Sequence, residues 1–359
     1  MSKAIYRPDG KAGEYASWGC NLYVGCGNGC DYCYLKKGFL AAVMGGREVS
    51  LKKCFKNKED AFATFVAELW PKADRIRNEG GLFFSFSTDP CLPETVELTM
   101  TCVAFATGMN VPCHILTKRP DVLLGDGGVL DLPASARNLL SVGVTLTGCD
   151  DLEPGACPNA GRISAMGALH DAGFRTFASI EPVLDFDRAM DVIRSSVNHC
   201  DHYKIGLLSG RHPYADALYR SPDFVARLKG FVNYANDYLT AFKKPVYWKR
   251  SVRKALGEDI KAPCLVDSRY DVITGIRIVE RDDDGNLSWD RLEALSKDAC
   301  GEFSLVSDEA TPAIRKVMTR FQEGGPRFQG ARPVGVVEFL REGDIAFDKN
   351  GVPGRRVGA

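Results

Sequence analysis

The sequence has no net charge, no long apolar run and no signal-peptide core. It has 46 basic and 46 acidic residues, so no net charge marks it as a nucleic-acid or membrane binder. No uninterrupted apolar run is long enough to span a bilayer. The first residues, MSKAIYRPDGKAGEYASWG, have no apolar core of the kind that a signal peptide requires. We therefore expect a cytoplasmic protein with no membrane partner.

Cysteine is not scarce, but its pattern does not predict a disulfide framework. The 359 residues contain 13 cysteines, an odd number, and a chain of this length builds a core without disulfides. Free cysteine packs in protein cores as a small hydrophobic residue. Nine cysteines are scattered along the chain and are mostly interpreted in this way: Cys54, Cys91, Cys102, Cys113, Cys149, Cys157, Cys200, Cys264 and Cys300.

Three cysteines stand apart because they lie close together in the segment WGCNLYVGCGNGCDYCYL. Cys26, Cys30 and Cys33 have the spacing C-x3-C-x2-C. A [4Fe–4S] cluster that is fully ligated by protein takes four thiolates, so three thiolates leave one iron open for a reactant. The alternative is a structural zinc site closed by Cys20 or Cys54. Zinc sites more often use two C-x2-C pairs, and this chain has no second pair.

The remainder of the first 250 residues predicts an α/β fold. Short apolar runs that read as strands alternate with segments of helical periodicity about six times, which indicates a parallel sheet with helices outside. The predicted strands are Asn21–Gly25, Gly81–Ser87, Val111–Leu116, Leu140–Leu146, Arg175–Ile180 and His202–Leu208. Right-handed crossovers make such a sheet curl into a full or partial β/α barrel.

A β/α barrel places its active site at the carboxyl ends of its strands, so polar residues are expected there. The sequence has candidates after or near the end of each later strand. They are Ser87, Thr88, Asp89, Thr117, Lys118, Thr145, Thr147, Glu181 and Lys204.

The cysteine loop resembles the signature of the radical S-adenosylmethionine (SAM) enzymes. The longer phrase NLYVGC-x3-C-x-Y-C-Y resembles the branch that includes spore photoproduct lyase. The resemblance implies a partial (β/α)6 barrel and a [4Fe–4S] cluster held by Cys26, Cys30 and Cys33. It also implies that SAM chelates the open iron and is split to methionine and a 5′-deoxyadenosyl radical. The electron would come from a reductant such as flavodoxin or ferredoxin.

The same resemblance suggests which residues bind SAM. Tyr32 would pack near the adenine, and Lys118 in ILTKRP would meet the SAM carboxylate. Thr145 matches a serine placed near SAM. The family's GGE turn is absent, and a hydroxyl of the STDP segment would replace it, from Thr88 first and Ser87 second. Glu181 would hold the SAM ribose or a substrate group, or else form a structural ion pair.

One departure from photoproduct lyase is informative. That enzyme keeps a hydrogen-donating cysteine just before its Thr-Ser-Asp turn, whereas Phe86 stands here, although the segment EPG (Glu153–Gly155) also matches. Phenylalanine cannot return a hydrogen atom to a product radical, so photolesion repair by that mechanism is not expected. Cys91, Cys149 and Cys157 are the substitute donors available on loops after strands.

Two basic stretches suggest a nucleic-acid or nucleotide substrate. Residues 36–58 hold seven Lys or Arg against one acid, and Lys243–Lys254 holds six basic residues with Tyr247 and Trp248 among them. Basic charge and aromatic rings together are typical of single-strand binding, although a barrel-closing segment with a solvated face explains the second stretch as well. Residues 251–359 are expected to form a small α+β extension that follows a core of residues 1–250.

The leading hypothesis is therefore a radical SAM enzyme of unknown substrate and reaction type. The competing hypothesis is a non-enzymatic iron–sulfur or zinc module that senses redox state or binds nucleic acid.

Overall fold

The structure is a computed structural model that describes residues 4–36, 46–208, 210, 212–257, 259–268 and 270, and two short strands near the end. Its strands are β1 (Ile5–Tyr6), β2 (Gly19–Cys20), β3 (Tyr23–Val24), β4 (Ser50–Leu51), β5 (Leu82–Phe84), β6 (Cys113–Thr117), β7 (Leu140–Thr145), β8 (Arg175–Val183), β9 (His202–Leu207), β10 (Val246–Trp248), β11 (Ala346–Phe347) and β12 (Pro353–Gly354).

The helices are α1 (Gly10–Gly13), α2 (Lys58–Leu69), α3 (Ala73–Asn78), α4 (Val96–Gly108), α5 (Ala134–Arg137), α6 (Asn159–Asp171), α7 (Phe186–Ser196), α8 (Pro213–Tyr219), α9 (Phe224–Ala241) and α10 (Arg250–Leu256). No helix in these described residues is both long and apolar enough to cross a membrane.

An eight-stranded sheet forms the centre, in the order β1-β2-β5-β6-β7-β8-β9-β10. β1 pairs antiparallel with β2, and every other neighbouring pair in this sheet is parallel. The predicted α/β fold with a parallel sheet is confirmed. Tyr15 contacts Phe83 on β5 and Ser179 on β8, which are three strands apart, so the sheet is curled into an open barrel.

Alternation along the strands separates an outer apolar face from an inner polar face, as expected for a pleated strand. On β8, Ala178 and Ile180 pack into the outer core with the helices, whereas Ser179 and Glu181 contact Tyr15 inside the barrel. The helices complete the outer core. Asn57 is the N-cap of α2, and its side chain accepts a hydrogen bond from the Asp60 N–H at 2.8 Å.

The predicted first strand is wrong in position. Gly19 and Cys20 pair with Phe83 and Phe84 in the central sheet, whereas Tyr23 and Val24 form a separate ribbon with β4. The sequence of residues 1–17 is polar and predicts a lead-in that packs at the edge of the domain. It instead contributes edge strand β1 and then lines the inside of the barrel, where we call residues 10–17 the arm.

At the other edge of the sheet, the chain continues beyond β10 without leaving the barrel. Val252 is buried in the outer core, and Leu265 forms a parallel bridge with Val246. The proposed boundary at residue 250 stays a prediction. Most of the expected extension, including Cys300 and the predicted strands at 272–279 and 334–340, lies outside the described residues. Part of the predicted helix at 34–44 also lies outside them, after a 3₁₀ turn at Tyr34–Lys36.

Candidate functional site

The cysteine loop follows β3 and packs on the loop that follows β7. The Asp31 N–H donates to the Leu152 carbonyl at 2.9 Å, and the Gly155 N–H donates to the Asn28 carbonyl at 2.9 Å. These backbone bonds fix the loop at the carboxyl edge of the parallel sheet. It is the edge at which a β/α barrel carries its active site.

Two glycines shape the loop, for different reasons. Gly25 has a φ of +80°, and a Cβ atom there would lie 2.1 Å from the Glu48 carbonyl oxygen, so both conformation and space require glycine. Gly29 has a φ of +67°. Gly27 has ordinary φ, and the nearest atom to an added Cβ is a Leu92 methyl at 3.8 Å. The tight turns of the loop therefore depend on glycine at positions 25 and 29 and not at position 27.

The three loop cysteines differ in burial. Cys30 is buried, and Cys26 and Cys33 are partly exposed. Burial, followed by the negative charge of Asp89, raises the pKa of Cys26 to about 12. Burial also raises the pKa of Cys30, and the nearby Lys118 ammonium opposes that rise. Cys26 and Cys30 are thus thiols in the metal-free protein, and metal binding must release their protons.

The two proposed fourth zinc ligands, Cys20 and Cys54, lie in different environments. The described part of the chain contains no group of three or more His, Cys, Asp or Glu side chains that could hold a single metal ion. Cys20, one proposed fourth zinc ligand, lies in β2 and is fully buried in the hydrophobic core. Cys54, the other proposed ligand, is exposed. In a [4Fe–4S] cluster the thiolates bind different irons, so they need not converge on one ion.

Asp89, at the end of β5, ties the cysteine loop to the end of β6. Its Oδ2 accepts from Asn28 Nδ2 at 2.7 Å and from the Lys118 N–H at 2.8 Å. Its Oδ1 accepts from Thr117 Oγ1 at 2.6 Å and from the Cys91 N–H at 2.9 Å. With four hydrogen bonds, this buried carboxylate is a structural centre of the site.

The two hydroxyls of the STDP segment are both buried. Ser87 is fully buried, and its hydroxyl donates to the Tyr23 carbonyl at 2.5 Å. Thr88 is 7% exposed, and its hydroxyl has one long contact, 3.5 Å to the Asp89 carbonyl. Ser87 is therefore engaged in holding β3, whereas Thr88 keeps more of its hydrogen-bonding capacity.

Lys118 lies at the end of β6 beside the cysteine loop. Its Nζ is 5.4 Å from the centre of the Tyr32 ring and 3.7 Å from Glu153 Oε1. Its side chain is 16% exposed, and the described residues give its ammonium no acceptor within 3.5 Å. An ammonium has three N–H donors, so Lys118 retains donors for a ligand.

Glu153 is the functional candidate that the sequence did not single out. Its side chain is fully buried and lies 2.5 Å from Arg162 Nη2, and it also accepts a hydrogen bond from the Tyr32 hydroxyl. Arg162 in turn donates to the Thr145 carbonyl at 2.9 Å. The EPG segment was the one sign of this residue, but no spacing rule connects residues 32, 118, 153 and 162.

Glu181 belongs to a different network, inside the barrel. Lys249 Nζ lies 2.5 Å from its Oε2 and Lys11 Nζ lies 3.0 Å from its Oε1, while the Tyr15 hydroxyl donates to Oε2 at 2.9 Å. Burial raises the pKa of Glu181, but Lys249 and Lys11 outweigh it and hold that pKa below its ordinary value. The ion pair foreseen as an alternative for Glu181 is present.

Lys204 was expected near a strand end but lies within β9. Its Nζ donates to the Ser268 carbonyl at 2.8 Å, near a cavity at the amino end of the barrel lined by Tyr15, His114, Ser141 and His202. This cavity is at the opposite end of the strands from the cysteine loop. Lys204 is therefore not part of the candidate site.

Phe86, which stands where photoproduct lyase has its hydrogen-donating cysteine, and the possible substitute donor cysteines are mostly packed against other residues. Phe86 stacks on Phe83 with ring centres 4.7 Å apart, and its carbonyl accepts from the Tyr34 hydroxyl. Of the possible donor cysteines, Cys91 is buried and Cys157 is partly exposed. Cys149 packs in the same small apolar cluster as Cys30 and Tyr32.

The aromatic residues of the second basic stretch cannot stack on bases. Tyr247 is 3% exposed and Trp248 is 1% exposed, and both lie in β10. The Trp248 indole N–H donates to Asn236 Oδ1 at 2.8 Å. The barrel-closing interpretation of this stretch is thus confirmed, and the base-stacking interpretation is wrong. Lys243, Arg250, Arg253 and Lys254 remain exposed.

No family model matches the sequence, and no curated protein matches it. Among solved structures, the chain is similar to SuiB of Streptococcus suis bound to S-adenosylmethionine, at 11% identity and a TM-score of 0.42. That alignment covers 66% of this chain and 52% of SuiB, so the chain spans about half of SuiB's length. SuiB bound to the precursor peptide SuiA matches at 11% identity and a TM-score of 0.43, covering 66% and 51% of the two chains. A likeness at this level does not assign an activity.

Proposed function

We propose that the chain is a radical SAM enzyme that uses one [4Fe–4S] cluster to cleave SAM reductively and abstract a hydrogen atom from a substrate. One observation carries the proposal. At the carboxyl edge of the parallel sheet, three cysteines lie on one loop, and one of them, Cys30, lies near Lys118, whose ammonium retains hydrogen-bond donors.

The donor set fits the cluster. Cys26, Cys30 and Cys33 would supply the three thiolates, and the glycine conformations at 25 and 29 let the loop turn around a bulky group. The Lys118 charge next to Cys30 offsets part of the thiolate charge. When bound, such a cluster supplies the electron that cleaves SAM. The protein contributes binding, orientation and the exclusion of water.

The remaining site residues would bind SAM. Lys118 is assigned to the SAM carboxylate because a lysine pairs with an anion as a point charge. Thr88 is assigned to the amino group, with Ser87 supporting the turn. Tyr32 and Thr145 would border the adenosyl moiety, and Glu181 would face the ribose or the substrate from inside the barrel.

The substrate is proposed to be a nucleic acid or nucleotide, on electrostatic grounds alone. Exposed cations lie on the surface after β10 and around residues 47–58, and such residues bind phosphates in a salt-dependent way. Phe86 has no thiol that could return a hydrogen atom to a product radical, which disfavours a photoproduct-lyase reaction. A gel shift with RNA and DNA at several salt concentrations tests the substrate class; binding that does not weaken with salt would contradict it.

The cofactor is tested by anaerobic reconstitution with iron and sulfide. The proposal predicts a [4Fe–4S] absorption spectrum for the wild-type chain and its loss in Cys30→Ala, with Cys54→Ala as the matched control that keeps it. A tightly bound tetrahedral zinc ion in the wild-type protein would contradict the proposal and favour the non-enzymatic alternative. A flavodoxin or ferredoxin is proposed as the physiological reductant.

A further inference from the structure

Three of the residues proposed to bind SAM converge on one buried ion pair. Glu153 Oε2 lies 2.5 Å from Arg162 Nη2, and both side chains are fully buried. Tyr32 and Lys118 contact the Glu153 side of the pair, and Thr145 contacts the Arg162 side. No other carboxylate in the described part of the chain touches both the cysteine loop and the Lys118 ammonium.

The pair joins three segments that are distant in sequence. The Tyr32 hydroxyl donates to Glu153 from the cysteine loop, next to Cys33. Lys118 approaches from the end of β6, and the Arg162 guanidinium donates to the Thr145 carbonyl at the end of β7 at 2.9 Å. Each segment therefore brings one predicted SAM contact to the same charged centre.

Because Arg162 forms the close contact with Glu153, the Lys118 ammonium remains available to bind a ligand. Arg162 forms the short contact with Glu153, at 2.5 Å, whereas the Lys118 ammonium stays at 3.7 Å, beyond hydrogen-bond distance. The Glu153 charge is thus largely matched by Arg162, which is fixed by its other donors to the Thr145 and Cys157 carbonyls. The Glu153 charge orients the Lys118 ammonium, and the N–H donors of that ammonium remain available for a ligand.

Stability alone does not explain such a pair. Because desolvating two charges costs several kcal/mol, well-packed apolar residues at the same positions are often as stable or more stable. A fully buried carboxylate with a guanidinium, an ammonium and a phenol around it is the kind of network that fixes geometry.

We propose that Glu153 and Arg162 are positioning residues for SAM, an inference that rests on the proposed function. Glu153 fixes the Tyr32 ring and directs the Lys118 ammonium, and Arg162 fixes Glu153 and the Thr145 backbone. Neither residue touches SAM itself. Residues that orient the ligands of a metal centre typically change metal affinity or activity by about 10- to 100-fold when they are replaced, and we expect an effect of this order on SAM binding here.

The test replaces the pair by apolar residues, Glu153→Leu with Arg162→Met, so that no charge is left buried alone. The reconstituted double variant is expected to fold and to bind SAM about 10- to 100-fold more weakly than the wild type, measured by isothermal titration calorimetry. Tyr32→Phe, which removes only one hydroxyl, is expected to weaken SAM binding in the same direction. Asp151→Asn, on the same loop but bonded to Arg188, is the matched control and should bind SAM normally.

A second readout does not depend on SAM. In the metal-free full chain, the double variant should lose amide hydrogen-exchange protection at residues 28–33 and 117–119, while Asp151→Asn keeps it. A folded double variant with wild-type SAM affinity and wild-type protection would overturn the proposal. If the double variant does not fold, wild-type SAM affinity in Tyr32→Phe would overturn it. Failure of the wild type to bind SAM would instead refute the proposed function, and exchange protection would still decide whether the pair positions these segments.

Discussion

Lys249 Nζ lies 2.5 Å from Glu181 Oε2, across the inside of the barrel from β10 to β8. The two residues are 68 positions apart, and β9 lies between their strands. Lys11 of the arm reaches the other oxygen of the same carboxylate at 3.0 Å. One buried carboxylate therefore joins the amino-terminal arm, the fifth predicted strand and the barrel-closing segment.

Replacing Glu181 by Gln should leave the buried Lys249 ammonium with only the more distant Glu14 carboxylate, 4.0 Å away. Removing one partner of a buried pair costs about 3–5 kcal/mol, so we expect a loss of this order in the free energy of unfolding at pH 7. Urea denaturation of the metal-free full chain measures it. Glu97→Gln, which breaks an exposed pair with Lys58, is the control and should leave stability nearly unchanged.

The stability difference between the wild type and Glu181→Gln should depend on pH. Because the folded pKa of Glu181 is lowered, its stabilising effect is present above the unfolded pKa, about 4.3 for Glu. It is lost as the pH falls through the lowered folded value. The stability difference between wild type and Glu181→Gln should be constant above about pH 5 and shrink below about pH 4. A difference that grows on acidification would contradict this assignment.

Lys118→Met should weaken SAM binding with little effect on folding. A hydrogen bond to a charged group contributes about 1.5–3 kcal/mol, which corresponds to roughly a 10- to 100-fold rise in the SAM Kd. Calorimetry on the reconstituted protein measures the change. Lys58→Met removes an exposed lysine that pairs with Glu97 and not with the cysteine loop, and it should not alter the Kd. Equal affinities for wild type and Lys118→Met would exclude Lys118 from the SAM site.

Gly25→Ala and Gly27→Ala form a matched pair on the cysteine loop. Alanine at 25 would clash with the Glu48 carbonyl and requires an unfavourable positive φ, whereas alanine at 27 has space. We expect Gly25→Ala to incorporate much less iron and sulfide than the wild type and Gly27→Ala to incorporate normal amounts. Similar iron contents in the two variants would contradict the loop geometry.

Trp248→Ala and Trp70→Ala test the correction to the second basic stretch. Removing a buried Trp typically costs about 3–5 kcal/mol, so Trp248→Ala should lower the free energy of unfolding by that order. Trp70 is 67% exposed, and its removal should cost far less. Urea denaturation of both variants gives the comparison, and equal costs would contradict the burial of Trp248.

Long apolar runs made much of the fold predictable. The strands β6 to β9 lie close to the ranges that the sequence predicts. β2 was misplaced because a two-residue strand is specified by its neighbours, Phe83 and Phe84, rather than by its own sequence. The arm was missed for a similar reason, since Lys11 and Tyr15 find their partners only once β8 and β10 are in place.

The candidate site was also only partly predictable from the sequence. Spacing identified Cys26, Cys30 and Cys33 because local ligand patterns are encoded within a few residues. The sequence does not reveal the roles of Glu153 and Arg162. Their buried ion pair is defined by contacts with segments that are distant in sequence, and no local pattern encodes these contacts.

The central claim is that the three-cysteine loop holds a cluster that cleaves SAM. It is tested most directly by reducing the anaerobically reconstituted protein with dithionite in the presence of SAM and measuring 5′-deoxyadenosine. The proposed function predicts that 5′-deoxyadenosine and methionine are released by the wild-type chain and not by Cys30→Ala. Intact SAM after reduction of a protein that carries its cluster, or equal release by Cys30→Ala, would contradict it.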